Sequence, residues 1–203
     1  MVLLKRAKLK AKAQAKLVHV IRHGEAQHNV QKKFLLKQDT KLTKRGWRQA
    51  KSLQKLLPKL KPEVALTSGV LRALQTTRGI GFRGRTLVVP EAREVGGWPA
   101  NEPVETRRAL AGDLESRFGR YDWSPCAACG PRNRWEKTSE VKERARRLTK
   151  YLERQPEGRL LLVSHGEFLE KLTGDKYMDN CEVRTYSLSR GKWQRLRSVK
   201  CSE

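Results

Sequence analysis

Four short, nearly uninterrupted apolar runs alternate with longer stretches of helical period, and that alternation restricts the fold more than any other feature of the chain. Leu17–Ile21, Val64–Thr67, Thr86–Val89 and Leu160–Val163 are rich in branched residues, as strands covered on both faces of a parallel sheet must be. Between them the period changes. Trp47, Ala50, Leu53, Leu56, Leu57 and Leu60 recur at helical spacing after Thr43, which is placed to cap the first turn, and Pro58 falls near the end. Leu71–Gly79 reads as a helix that stops at glycine. Ser139 is placed to cap another, whose apolar face carries Val141, Ala145, Leu148 and Leu152, and a further helix spans Glu167 to Leu172. Residues 96–137 are rich in Gly, Pro, Trp and charge, with one helix expected around Glu105–Phe118. Glu182–Ser189 and Trp193–Val199 flank Arg190-Gly191-Lys192 as the two arms of a hairpin. Strands alternating with helices predict an α/β three-layer sandwich with a mostly parallel central sheet. The 203 residues suffice for one domain with a substantial core, expected over 17–203 behind a basic arm at 1–16.

The arm holds six basic residues and no acidic one, yet removing those six from the net charge of +24 still leaves +18. The positive field therefore belongs to the whole molecule and attracts anions: phosphate esters, nucleic acid or acidic lipid. Two readings follow, a solvated cationic surface without a dedicated partner and weak, non-specific polyanion binding. No run approaches the ~20 apolar residues that cross a bilayer, and Val2-Leu3-Leu4 is no secretory core. A soluble, cytoplasmic protein is expected, with organelle targeting by the arm left open. Cys126-x-x-Cys129 resembles half of a zinc knuckle without its second half. Reduced thiols are the expectation for Cys126, Cys129, Cys181 and Cys201.

Open α/β sheets place their sites where strands end. The first run ends in Arg22-His23-Gly24-Glu25 and the fourth in Ser164-His165-Gly166-Glu167. Each histidine is followed by a glycine that lets backbone approach a ligand. A lone histidine there reads as structural; two in matching contexts, one beside an arginine, point to a site. His19 is expected to pack and His28 to be exposed.

The segment LVHVIRHGEAQHN (17–29) resembles the RHG signature of the histidine phosphatase superfamily, which includes the phosphoglycerate mutases. LTKRGWRQA (42–50), TSGVLRALQTT (67–77), Ala92-Arg93-Glu94, Val163–Gly166 and NCEVR (180–184) resemble further motifs of that family in the family's order. The resemblance implies a phosphoglycerate mutase-like fold and a phosphohistidine mechanism on a small phosphorylated substrate. His23 would be the nucleophile, splitting one hard displacement into two. Arg22 and Arg72 would clamp the phosphoryl oxygens, His165 and Gly166 would line the same position, and Asn29 lies where mutases contact phosphate. Glu94 would protonate the leaving oxygen and then activate water, with Glu91 and Glu25 as competitors. No metal or cofactor is implied. The residues after Glu94, VGGWPAN (95–101), depart from the phosphoglycerate-binding pattern. That departure favours a phosphatase over a mutase-like isomerase or a non-catalytic polyanion-binding protein of the same fold.

Overall fold

The computed structural model describes residues 15–101, 118, 120–126 and 135–200. The arm as far as residue 14, the helix expected at Glu105–Phe118 (except Phe118), the Cys126–Cys129 pairing and Cys201 lie outside the described residues. Along the chain run β1 (Lys16–Arg22), α1 (Gln27–Val30), α2 (Lys44–Ser52), α3 (Leu57–Leu60), β2 (Val64–Thr67), α4 (Leu71–Ile80) and β3 (Thr86–Val88). After these come α5 (Thr138–Arg154), β4 (Arg159–Ser164), α6 (Gly166–Thr173), β5 (Val183–Ser189) and β6 (Lys192–Val199). The described strands form one sheet in the order β3-β2-β4-β1-β5-β6. The first four are mutually parallel, and β5 and β6 add antiparallel at the β1 edge.

The apolar runs are continuous because both faces of the sheet are covered. In β4, Leu160 and Leu162 join Val18, Val20 and Leu66 against α5 and α6, where Leu148, Leu152 and Phe168 wait. Leu161 and Val163 face the other layer, with Ala50 and Leu53 from the α2 side and Ala73 and Ile80 from α4. Fully burying each such side chain stabilises the fold by roughly 1.5–3 kcal/mol, which fixes both layers to the strand ends.

Thr43 caps α2 as expected, its Oγ1 accepting the Gly46 N–H at 3.0 Å. Lys137, not Ser139, takes the cap position of α5, and the Glu140 carboxylate reaches back to its N–H at 2.8 Å. Pro58 opens α3 rather than closing a helix, since its missing N–H costs nothing in a first turn. The β5–β6 turn has Arg190 and Gly191 at φ of 52° and 73°, the left-handed pair that a two-residue hairpin turn requires. Cys181 is buried. No described helix is long and apolar enough to cross a membrane.

Candidate active site

The parallel register of β1 with β4 ends at Arg22 opposite Ser164, so the next residue of each strand is a histidine. The separation of 142 positions is thereby cancelled: the rings of His23 and His165 lie 5.1 Å apart, and the His23 N–H donates to the Ser164 carbonyl at 2.9 Å. β2 pairs with the far side of β4 and delivers Ser68, whose N–H donates to the Val163 carbonyl at 3.1 Å. The loop beyond β3 brings Glu94 to the same end.

The backbone fixes the form of His23. Its Nδ1 lies 2.8 Å from the Gly24 carbonyl, and a carbonyl only accepts, so Nδ1 carries the proton and Nε2 a lone pair. Burial, then the charges of Arg72 and Arg22, push its pKa well below 6.5, and the ring is neutral at physiological pH. The loop holding it is pinned from three sides. Thr76 Oγ1 accepts the Gly24 N–H at 3.0 Å, Gln49 accepts that of Glu25 at 2.9 Å, and the Asn180 amide donates to the His23 carbonyl at 2.9 Å. A Cβ on Gly46 would stand 2.1 Å from the Glu25 carbonyl oxygen, and one on Gly24 would stand 2.7 Å from that of Gly46. This pair of glycines is what lets α2 close against the loop.

Two guanidinium groups act on His23. Arg72 is fully buried, which lowers its pKa to about 10 and still leaves it charged. Its Nε–H donates to His23 Nε2 at 3.1 Å, while Nη1 and Nη2 donate to the Ala100 carbonyl at 2.6 Å and to Asn101 Oδ1 at 3.0 Å. Arg22 donates from Nη1 to the Met178 carbonyl at 2.8 Å and lies 4.7 Å under the Tyr177 ring. Its buried Nε has no partner among the described residues, and neither has Nδ1 of His165. These are the unspent polar atoms of the site.

Ser68 decides what the second of them offers. Its Oγ accepts the Val70 N–H at 3.2 Å and lies 2.8 Å from His165 Nε2. The Ser68 hydroxyl is placed to give its proton to Nε2, and a neutral His165 that accepts it carries its own proton on Nδ1, the nitrogen without a partner among the described residues. Burial, then Arg72, hold the His165 pKa well below 6.5.

Glu94 sits against the first turn of α6. Oε1 accepts the N–H groups of Val95 at 3.0 Å and Phe168 at 2.9 Å, which leaves Oε2 to take a proton. Burial raises its pKa above 4.5, outweighing the opposing pull of Arg72 and the two N–H groups. Beneath this loop lies Arg144, stacked 4.1 Å over Phe168. It donates to the carbonyls of Glu91 at 2.9 Å, Arg93 at 2.7 Å and Glu94 at 3.2 Å and pairs with Glu136 at 2.6 Å. The competing carboxylates are engaged elsewhere: Glu25 with Thr43 and Arg45, Glu91 with Arg147 on α5.

The sequence profile of the histidine phosphatase superfamily (branch 1) matches residues 18–198. The chain belongs to that superfamily. The α-ribazole phosphatase of Shigella flexneri is 26% identical, with 92% of this chain and 96% of that one covered at a TM-score of 0.59. A mycobacterial glucosyl-3-phosphoglycerate phosphatase, solved with VO3, is 22% identical over 89% and 97% of the two chains at a TM-score of 0.62. The phosphoserine phosphatase of Entamoeba histolytica, solved with 3-phosphoglyceric acid, is 19% identical over 91% and 97% at a TM-score of 0.61. The last two likenesses are of fold. A comparison with curated proteins returns no match.

Within this histidine phosphatase fold, His23, Arg22, Arg72, His165 and Glu94 converge, and one expectation from sequence is corrected. His28 is half-buried, not exposed: its ring lies 5.8 Å from that of His23 and its Nδ1 2.7 Å from Thr40 Oγ1. Burial, then Arg72 and Arg22, lower its pKa to about 3. Asn29 is exposed and engaged locally, its Oδ1 accepting the Ala26 N–H at 2.9 Å and its amide donating to His28 Nε2 at 3.2 Å. Gly166 contributes space, since a Cβ there would stand 2.6 Å from the Tyr177 ring. Tyr177, Asn101, Ser68 and Arg144 were not singled out as site residues; only Ser68 and Asn101 fall inside segments compared with the family's motifs. His19 packs as expected, bonded to Thr185 and the Leu60 carbonyl at 3.0 Å each.

Proposed function

We propose that the chain is a phosphomonoesterase that works through a phosphohistidine on His23. The observation that carries this reading is His23 Nε2, an unprotonated nitrogen of a neutral, buried ring that Arg72 touches and that the charge of Arg22 also reaches. In the first step Nε2 forms a bond to phosphorus and the ester P–O bond breaks. Glu94 Oε2 gives its proton to the departing oxygen. In the second step the ionised Glu94 takes a proton from water, the water oxygen bonds phosphorus, and the P–N bond breaks to release inorganic phosphate. Arg22, Arg72 and His165 Nδ1–H stabilise the negative charge on the phosphoryl oxygens. Asn29, turned onto its own backbone, has no part in this scheme.

Hydrolysis rather than transfer to a second hydroxyl is supported by the VGGWPAN loop and by the phosphatases among the similar structures. The substrate class is a small phosphorylated metabolite. A panel of phosphorylated metabolites, followed by inorganic phosphate release and by product identity, tests the reading. Free phosphate is expected, with His23→Ala slower by at least about 10³-fold, a fall like those seen when other enzymes lose their nucleophile. An isomerised phosphoester would make the protein a mutase instead, and unchanged release from His23→Ala would refute the reading.

A further inference from the structure

Beyond the phosphoryl chemistry, one surface stands apart. From Lys41 to Lys61 the chain carries eight basic residues, Lys41, Lys44, Arg45, Arg48, Lys51, Lys55, Lys59 and Lys61, and no acidic one. This stretch is α2, a 3-10 turn (Leu53–Leu56) and α3 in succession. Its inner face is fixed: Gly46, Gln49, Ala50, Leu53 and Leu60 are buried, and Gly79 of α4 leaves room for no more than the Ala50 methyl group. The outer face exposes Lys44, Arg48, Lys51, Lys55 and Lys59 at successive spacings of four, three, four and four. At 1.5–2.0 Å of rise per residue, that is a cationic ridge roughly 22–30 Å long. Only Arg45 of the eight has an acidic partner, Glu25, among the described residues.

The opposite layer shows that this is not the charge of the molecule spread evenly. On α5 the exposed Lys142, Arg146, Arg147, Lys150 and Arg154 share the helix with Glu140, Glu143 and Glu153, and Arg146 and Arg147 pair with Glu143 and Glu91. None of the large exposed apolar side chains lies between residues 41 and 61, so the ridge has nothing to insert into a bilayer. No exposed aromatic ring is available on it for stacking unpaired bases.

We propose that the α2–α3 ridge is a docking surface for the phosphate backbone of double-stranded nucleic acid, read without regard to base sequence. A rigid row of unpaired cations suits a regular row of phosphates, and its binding is driven by counterion release. The test uses the full-length protein and a fluorescein-labelled duplex followed by anisotropy across a salt series. Two triple variants, each lowering the charge by three, are compared: R48Q/K51Q/K55Q on the ridge and K142Q/K150Q/R154Q on α5. Thermal melting confirms that both are folded. The ridge triple is expected to weaken binding at least about tenfold and to reduce the salt slope by about 0.9 for each phosphate that is no longer neutralised. The α5 triple should change affinity by less than about threefold, and a scrambled duplex should bind equally. Equal losses in the two triples would assign binding to the diffuse field and overturn the proposal. So would unchanged binding by the ridge triple, no measurable duplex binding, or tighter binding to phosphatidylserine vesicles than to duplex.

Discussion

At Glu94 and His23, two neighbouring groups are shifted in opposite directions by the same burial. Activity on the free enzyme requires His23 neutral and Glu94 protonated. Its acidic limb therefore lies below 6.5 and its alkaline limb above 4.5. Glu94→Gln should cut turnover of alkyl phosphates about 10²–10⁴-fold, the range of general acid–base catalysis. With p-nitrophenyl phosphate, whose leaving group scarcely needs a proton, the first step should be little affected. Equal slowing of that step for both substrates would argue that Glu94 only binds or supports. Ser68 is tested separately, because it acts through His165. Nitrogen-15 NMR should find the His165 proton on Nδ1 in the native protein. Ser68→Ala should lose that preference and lower kcat more than it raises KM, and Ser68→Thr should restore it. A proton found on Nε2 of the native protein would contradict the arrangement. These roles divide by legibility. Arg22 and His23 stand together in one motif, while the Ser68–His165 bond spans 97 residues. His28 is bonded to Thr40, twelve positions on, and no local pattern announces it.

Among the elements, β1 to β4 were legible to within a residue or two because a doubly covered strand must be apolar throughout, and the exposed β6 with its partner β5 only from the turn between them. The break of the long helical pattern into α2, a 3-10 turn and α3 was not, since periods of 3.6 and 3.0 diverge too little over a few residues. Two contacts between elements are open to test. Gly46→Ala would drive a methyl group into the Glu25 carbonyl, and overpacking of this kind costs about 1–3 kcal/mol. A lowered melting temperature together with reduced kcat is expected, and a fully active, equally stable variant would show that α2 does not need this closeness. Arg144→Met leaves Glu136 with only Arg93 and the Gly96 N–H as partners, and leaves three carbonyls of the Glu94 loop without this donor. A loss of about 1–3 kcal/mol in stability is expected from the unsatisfied acceptors, read from urea unfolding. An unchanged unfolding midpoint would contradict the view that this arginine carries the loop.

Across the whole molecule, His19, His23, His28 and His165, the only histidines in the chain, all have pKa values lowered by burial. In the unfolded chain they titrate near 6.5. Folding stability is therefore complete above that pH and is lost as pH falls from about 6.5 towards the depressed folded values. The loss approaches about 1.4 kcal/mol per pH unit for each histidine that must charge on unfolding. Glu94 works in the other direction, its raised pKa costing stability only as pH rises above 4.5. Urea midpoints should fall steeply between pH 6.5 and 5, and a flat profile would mean that these rings are not held neutral. The central claim, hydrolysis through His23 Nε2, is tested most directly by trapping the intermediate. p-Nitrophenyl phosphate labelled in its phosphoryl group, whose leaving group does not need the Glu94 proton, is mixed with excess enzyme and quenched without acid. An acid-labile, alkali-stable adduct on the peptide containing His23 is expected, accumulating further in Glu94→Gln, whose water-activating carboxylate is gone. Label on any other residue, or full turnover by His23→Ala with no adduct, would contradict the account.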